Sequence, residues 1–353
     1  MRILVINPGG TSTKISVFDN HTEVFKKNIS HTQTDLQGYK TVFQQYGYRK
    51  DLIIRTLEDH LFSLASFDCA VGRGGLLKPI SGGTYEINER MIEDLQNAIN
   101  GEHASNLGAV LAKNIADEIG VPAFIVDPVS VDEFQEVSRI TGLSDLEKAS
   151  WLHSLNQKAV CRKAAEKMGG KYEDYNFIVA HLGSGISVAA HNRGEMIDGS
   201  GGRTDGPFSP ERSGGLPAYQ LIKLCYSGKY TEEELVNKVS TIGGMYDYLG
   251  TKDIIEIEDR IKNGDTKAAL IMDAFIYQVA KEISMYGASL YGEIDKVILT
   301  GGIAHSDSVT SQVAKRVSYL ADVEVMPGEM EMEALALGAL RVLGGVEAAK
   351  IYR

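Results

Sequence analysis

The 353-residue chain is long enough for about two domains, and 36 basic against 47 acidic side chains leave a net charge of −11. That balance argues against nucleic acid or an anionic membrane as the main partner, because both are drawn to basic patches. A small anionic substrate is still allowed, since it needs only a few local cations. Cys69, Cys161 and Cys225 form no CxxC pair, so neither a disulfide framework nor a structural zinc site is expected and a reducing cytoplasm fits. The opening Met1 to Asn7 is too short an apolar run for a secretory signal, and no stretch of ~18 apolar residues could span a bilayer.

The chain opens as strand, turn, strand. Ile3 to Ile6 is apolar and β-prone, Pro8-Gly9-Gly10 is a strong turn signal, and Ser12 to Phe18 alternates. A third strand is expected from Thr22 to Ile29. Helical spacing follows at Asp51 to Leu64, Glu89 to Ile99 and Ala104 to Ile119. Phe67 to Val71 and Ala123 to Val126 read as buried strands between them.

Near the middle the opening pattern returns. Phe177 to Ala180 is an apolar strand, His181-Leu-Gly-Ser-Gly185 a glycine turn, Ile186 to Ala190 an alternating strand and Glu195 to Ile197 a third. Asn7-Pro-Gly9 and His181-Leu-Gly183 thus hold equivalent places in two similar units, and a structural duplication is expected. Helices are then predicted near Pro217 to Tyr226, Glu232 to Val239 and Lys267 to Leu290. Lys296 to Thr300 is a strand running into Gly301-Gly302, followed by helices at Ser308 to Leu320 and Met332 to Leu343. The expected division is 1–150 and 151–353, although no Pro/Gly-rich linker marks it.

Three glycine turns therefore follow three buried strands. Glycine after a strand lets backbone N–H groups approach an anion closely, and hydroxyls nearby add donors. Thr11, Ser12, Thr13 and Lys14 crowd the first turn and Ser184 sits in the second. Neither GxxxxGK[ST] nor GxGxxG occurs, so any ATP would be held by paired hairpin turns rather than by one loop-helix grip.

Ile6-Asn-Pro-Gly-Gly-Thr-Ser-Thr-Lys14 resembles the opening signature of the acetate, propionate and butyrate kinases, the acetokinase family of the actin-like ATPases. His181-Leu-Gly-Ser-Gly-Ile-Ser187 is similar to that family's second phosphate turn and Thr300-Gly-Gly-Ile-Ala304 to its adenosine turn. The likeness continues through Val71-Gly-Arg-Gly-Gly-Leu76, Gly101-Glu-His-Ala-Ser-Asn106, Val126-Asp-Pro128 and Gly206-Pro-Phe-Ser-Pro-Glu-Arg-Ser-Gly214. It spans essentially the whole chain in order. Length favours the butyrate branch, since acetate kinases tend to be longer.

The resemblance implies an α/β fold of two similar actin-like (ribonuclease H-like) domains, each a mixed sheet flanked by helices, with the active site in an interdomain cleft. It implies ATP/ADP and Mg²⁺, a small carboxylic acid and its acyl phosphate. Neither nucleic acid nor membrane is expected as a partner, and a homo-oligomer, dimer or higher, is. Arg73 and Arg212 would clamp the acid carboxylate and the transferring phosphoryl group, with His153 and His181 adding donors and Asp127 positioning metal or substrate. Asn7 would contact the γ-phosphate and the metal, with Gly9, Gly10, Thr11, Ser12 and Lys14 at the same turn. Gly183, Ser184 and Gly185 would form the second turn, and Gly301, Gly302 and Asp253 would lie near the adenosine. His103 and Pro210 would line the acyl pocket, and Glu331 would approach the metal.

A carboxylate is already a nucleophile at neutral pH. The obstacle is its repulsion from a polyanionic phosphate, so cations carry most of the catalysis. Arg73 and Arg212, each set in a glycine-rich break, suit that task. A sugar kinase would instead need a base to take a hydroxyl proton, and an actin- or chaperone-type ATPase would need polymer or peptide contacts.

Three departures from the family pattern matter. Gly10 stands where many relatives have serine. Ile254-Ile255 follows Asp253 where relatives carry an arginine two residues on. Gly328-Glu-Met-Glu-Met-Glu333 replaces an Asn-Glu-Glu pattern, leaving Glu329, Glu331 and Glu333 as alternatives at the metal. Gly75 lies where acetate-using relatives carry valine. Either it opens the acyl pocket by an isopropyl group or it serves the backbone turn, with Leu76 or Leu77 filling the pocket.

Overall fold

The computed structural model describes residues 1–201 and 205–353. Two compact units divide the chain, Met1–Val131 with Met330–Arg353, and Asp132–Glu329. This differs from the expected division near residue 150. The C-terminal helix Glu331–Leu343 buries Ala334, Leu335, Ala336 and Ala339 and packs on strands of the first unit, which returns the end of the chain to where it began.

In the first unit the strands are β1 (Arg2–Pro8), β2 (Ser12–Asp19), β3 (Thr22–Ser30), β4 (Cys69–Arg73), β5 (Thr84–Glu86), β6 (Ala123–Val126) and, from the C-terminus, β12 (Lys350–Ile351). They form one sheet in the order β12-β5-β6-β4-β1-β2-β3. β1 and β4, buried on both faces, carry continuous apolar runs, as central strands do. The second unit contains β7 (Asn176–Leu182), β8 (Ile186–Asn192), β9 (Glu195–Ser200), β10 (Lys296–Gly301) and β11 (Val323–Pro327), in the order β11-β10-β7-β8-β9.

The duplication is present in the topology. β1-β2-β3 and β7-β8-β9 are antiparallel meanders, and in each unit the first strand then pairs in parallel with a later one, β4 or β10. Even an irregularity is repeated. Pro8 pairs with Thr13 and Leu182 with Ile186, so the turns enclose residues 9–12 and 183–185. Counted from those partners, the register shift falls after the fifth residue in both units, at Val17/Phe18 and at Ala190/His191.

Packing then positions the strand ends. The helix Asn106–Ile119 buries Leu107, Leu111 and Ile115 against β4 and β6. Gly72 and Gly108 face one another so closely that a Cβ on Gly72 would overlap the Gly108 carbonyl. That approach seats the helix against β4 at the point where Arg73 emerges. In the second unit the long helix Thr266–Met285 covers the sheet with Phe275, Ile276, Val279 and Ile283. Among the described residues, no helix is long and apolar enough to cross a membrane.

Candidate active site

The first unit gathers Asn7, Arg73 and Glu331 at the C-terminal ends of β1 and β4, where α/β folds place their ligands. Arg73 grips Glu331 at two points, Nη2 to Oε1 at 3.0 Å and Nη1 to Oε2 at 3.2 Å. Asn7 Nδ2 donates to the same Oε2 at 2.7 Å, and Arg73 Nη1 lies 3.4 Å from Asn7 Oδ1. Of the three glutamates left open by the sequence, Glu331 is the one fixed beside Asn7.

Beside this cluster lies the turn Gly9-Gly10-Thr11-Ser12, whose carbonyls all point inward. Gly9 O accepts from Arg49 Nη1 at 2.8 Å and Gly10 O from Arg49 Nη2 at 3.1 Å. Thr11 O accepts from the His31 amide at 2.8 Å and Ser12 O from the Gly9 amide at 2.7 Å. A trans peptide sets each carbonyl opposite the next N–H, so the N–H groups of Gly10, Thr11 and Ser12 face the other way. Those of Gly10 and Thr11 have no acceptor among the described residues, and both residues are exposed, as is Lys14. Gly10, the departure from the family's serine, has open space where a side chain would stand.

Asp127 follows β6, fully buried and in a left-handed conformation, φ 38°. Such backbone is costly for a non-glycine residue. Here it is held by a reciprocal clasp with Gly83, whose amide donates to Asp127 Oδ1 at 2.7 Å while the Asp127 amide donates to Gly83 O at 3.0 Å.

His103 is exposed, with Nδ1 2.7 Å from Ser105 Oγ. At Gly75 no room remains for a pocket wall. A Cβ there would stand 2.6 Å from Asn106 Cα and 2.8 Å from Leu95 Cδ2, and Asn106 Oδ1 accepts from the neighbouring Leu76 amide at 2.9 Å. Of the two readings open from the sequence, this packing favours glycine at position 75 serving the turn, because Asn106 and Leu95 occupy the space that an isopropyl-sized opening would need.

In the second unit His153 and His181 stack face to face, centroids 3.9 Å apart and planes 9° from parallel. Both are held from behind. Asn156 Nδ2 lies 2.9 Å from His181 Nδ1 and 3.1 Å from Thr300 Oγ1. With that amide donating, the His181 proton sits on Nε2, the nitrogen 3.9 Å from Glu329 Oε1. His153 Nδ1 is 2.8 Å from Ser187 Oγ, which also accepts from Gln157 Nε2 at 2.7 Å. Gln157 in turn meets His191, 2.9 Å away, and burial holds His191 neutral, its pKa well below the ordinary imidazole value.

The second turn positions Arg212. A Cβ on Gly185 would lie 2.6 Å from Arg212 Nη1 and 2.9 Å from its Cζ, so the guanidinium rests directly on the Gly185 backbone. Ser209 ties the two loops together, donating to Ser184 O at 2.5 Å and accepting from the Arg212 amide at 3.0 Å. Gly183 lies close to His181 Nε2 and Ser184 is exposed. Pro210 is buried, its carbonyl accepting from the Tyr246 amide at 3.0 Å. Gly301 closes β10 with φ 90° and exchanges two backbone hydrogen bonds with Gly328, while Gly302 is exposed. Asp253 caps the helix Ile254–Lys262, accepting from the Ile255 amide at 2.9 Å.

Residues 151–336, which carry His153, the second turn, Arg212 and the third turn, match the acetokinase family. The chain belongs to the acetokinase family. Membership implies a phosphotransferase with a carboxylate as acceptor. Solved structures agree on the fold of this acetokinase at low identity. Acetate kinase from Porphyromonas gingivalis is 19% identical with a TM-score of 0.79, covering 97% of this chain and 99% of that one. Acetate kinase from Entamoeba histolytica is 17% identical, TM-score 0.77, covering 98% and 100%. A propionate kinase from Francisella tularensis is 20% identical, TM-score 0.72, covering 95% and 98%. The fold is the mixed α/β, two-sheet, actin-like one expected from the sequence.

Sequence reasoning passed over Arg49, Asn156, Gln157 and Ser209. A signal for Arg49 existed, since it shares a helix face at i, i+4 and i+8 with the buried Ile53 and Leu57.

Proposed function

We propose that this acetokinase is a butyrate kinase, transferring the γ-phosphoryl group of ATP in line to a short-chain carboxylate. A carboxylate oxygen forms the new bond to phosphorus as the β–γ bridging P–O bond breaks, ADP leaves with that electron pair, and the acyl phosphate forms. The observation that carries the reading is the turn after β1. Its carbonyls are all latched by donors, the amides of Gly10 and Thr11 face outward, and Asn7 and the Arg73–Glu331 pair stand beside it. An outward row of amides is an anion cradle.

In the first unit Arg73 neutralises the acid carboxylate, and Asn7 with the amides of Gly10 and Thr11 takes phosphate oxygens. In the second, Arg212 and His181 Nε2–H donate to the phosphoryl group, and the Asn156 hydrogen bond to Nδ1 keeps that proton on Nε2, on the ring edge toward Gly183 and Glu329. Preorganised donors of this kind stabilise developing charge without reorganising. Mg²⁺ suits the donor set, because it takes one or two protein oxygens and completes its shell with phosphate and water. Glu331 and Asn7 would supply those hard oxygens, and the ion would neutralise phosphate charge.

Butyrate as the preferred acid rests on the motif resemblance of the sequence to the acetate, propionate and butyrate kinases rather than on Gly75. The test is kcat/KM for acetate, propionate, butyrate, isobutyrate and valerate with saturating ATP and Mg²⁺. Each additional buried methylene is worth about 0.8 kcal/mol, so butyrate should exceed acetate by about tenfold. A preference for acetate would overturn the butyrate assignment and leave the acyl kinase standing.

A further inference from the structure

We propose that Arg49 is the positioning residue of the first glycine turn: its buried guanidinium holds the turn carbonyls inward so that the amides, backed by a positive charge, face a nucleotide phosphate. This rests on the reading of that turn as a phosphate site.

Arg49 is 1% exposed on the helix Tyr46–Asp59. Its Nη1 reaches Gly9 O, Thr13 Oγ1 at 3.0 Å and Ser12 O at 3.3 Å, and its Nη2 reaches Gly10 O. Gln45 Oε1 accepts from both Nε, at 3.1 Å, and Nη2, at 2.8 Å, and so fixes the plane of the fork. Every acceptor is neutral. No carboxylate pairs with Arg49 among the described residues, although buried cations are normally paired. Burial lowers its pKa, yet a guanidinium keeps its proton.

The uncompensated charge therefore sits directly behind the outward amides of Gly10 and Thr11. His31, hydrogen-bonded to the same Thr13 hydroxyl at 2.8 Å, adds no second charge. Burial first and the Arg49 charge second push its pKa down to about 4. A phosphate docked on the amides would supply the missing counter-charge. One side chain then does two jobs, orienting the turn through its carbonyls and attracting the anion through space. Lysine could do only the second, because a single ammonium lacks the planar fork that bridges Gly9 O and Gly10 O.

The experiment uses the full chain with Arg49→Lys and Arg49→Gln, reading thermal stability, ADP dissociation constant, and KM for acid and ATP. Hydrogen bonds to a charged group are worth about 1.5–3 kcal/mol, so ADP affinity and ATP KM should weaken by about 10- to 100-fold in Arg49→Gln. Arg49→Lys should recover part of the ADP affinity, because it keeps the charge, and acid KM should stay within about twofold in both variants. A purely structural latch would instead move both substrates alike. Equal changes for acid and nucleotide, unchanged ADP affinity together with unchanged ATP KM in a folded variant, or failure of both variants to fold would each overturn the assignment. The ¹⁵N-labelled Gly10 amide of the wild type, followed on adding ADP and then a non-hydrolysable ATP analogue, separates the two levels. No shift with either removes the phosphate reading of the turn itself. A shift with unaltered ADP affinity and ATP KM in the variants removes only the role of Arg49.

Discussion

Arg73 and Glu331, 258 positions apart in sequence, meet in a two-point ion pair at 3.0 and 3.2 Å. The pair uses the two Nη groups and leaves Nε–H without an acceptor among the described residues, so the guanidinium is oriented but retains a donor for a substrate carboxylate. Arg73→Ala should lower turnover by about 10²–10³ in a folded enzyme. Arg73→Lys should recover little of it, since a point charge lacks the fork. Glu331→Gln should raise the Mg²⁺ requirement as well as lower kcat. Folded variants with normal kcat and normal Mg²⁺ dependence would contradict both roles.

Gly75→Ala should act on stability rather than on chain-length preference. Its Cβ would press on Asn106 and Leu95, and overpacking costs about 1–3 kcal/mol. The checks are thermal unfolding and the order of kcat/KM among acids. A stable variant with its preference shifted toward acetate would restore Gly75 as a pocket wall.

Gly185→Ala should displace Arg212 without removing it. The methyl group would meet the far end of a flexible side chain, which can move at little cost in stability. Turnover should fall by about tenfold or more, because a small misplacement of a catalytic group is costly. The melting temperature should change little. Wild-type turnover in Gly185→Ala would mean that the observed seat of Arg212 is not its working position.

The strands that bear the three glycine turns were legible because buried central strands carry uninterrupted apolar runs, and the repeat of turn and strand disclosed the duplication. The helix Ser154–Lys167 was not legible. Its buried face includes Asn156, Gln157 and Lys158, residue types that read as surface until their partners His181, Ser187 and Glu133 are seen. The two-residue β12 and three-residue β5 carry too few side chains for a period to register. The expected 1–150 and 151–353 units differ from the two compact units at the end of the chain because the helix Glu331–Leu343 joins the first unit through long-range packing that local pattern does not encode. Asn7, Arg73, Arg212 and His181 were singled out as candidates through motif and glycine context. Arg49 lay just outside the helix expected at Asp51 to Leu64, and although its spacing to Ile53 and Leu57 marks it as buried, its partners needed the turn's carbonyl geometry.

His31 should make stability depend on pH. Its folded pKa of about 4 lies below the unfolded value of 6.5, so between those values the unfolded chain binds a proton that the folded chain refuses. Stability is fully present above pH 6.5 and falls as pH drops toward 4. Denaturant midpoints at pH 4.5 and pH 7 should therefore differ more in the wild type than in His31→Gln. Equal differences would show that His31 titrates normally in the folded protein.

The most direct measurement traps the product. Protein, ATP, Mg²⁺ and butyrate are incubated with hydroxylamine, and hydroxamate is followed alongside ADP, with Arg73→Ala and glucose in place of butyrate as controls. The account predicts hydroxamate and ADP in equal amounts from butyrate, a fall of about 10²–10³ in Arg73→Ala, and no ADP with glucose. ATP hydrolysis without hydroxamate from any short-chain acid, or ADP formed with glucose, would contradict it.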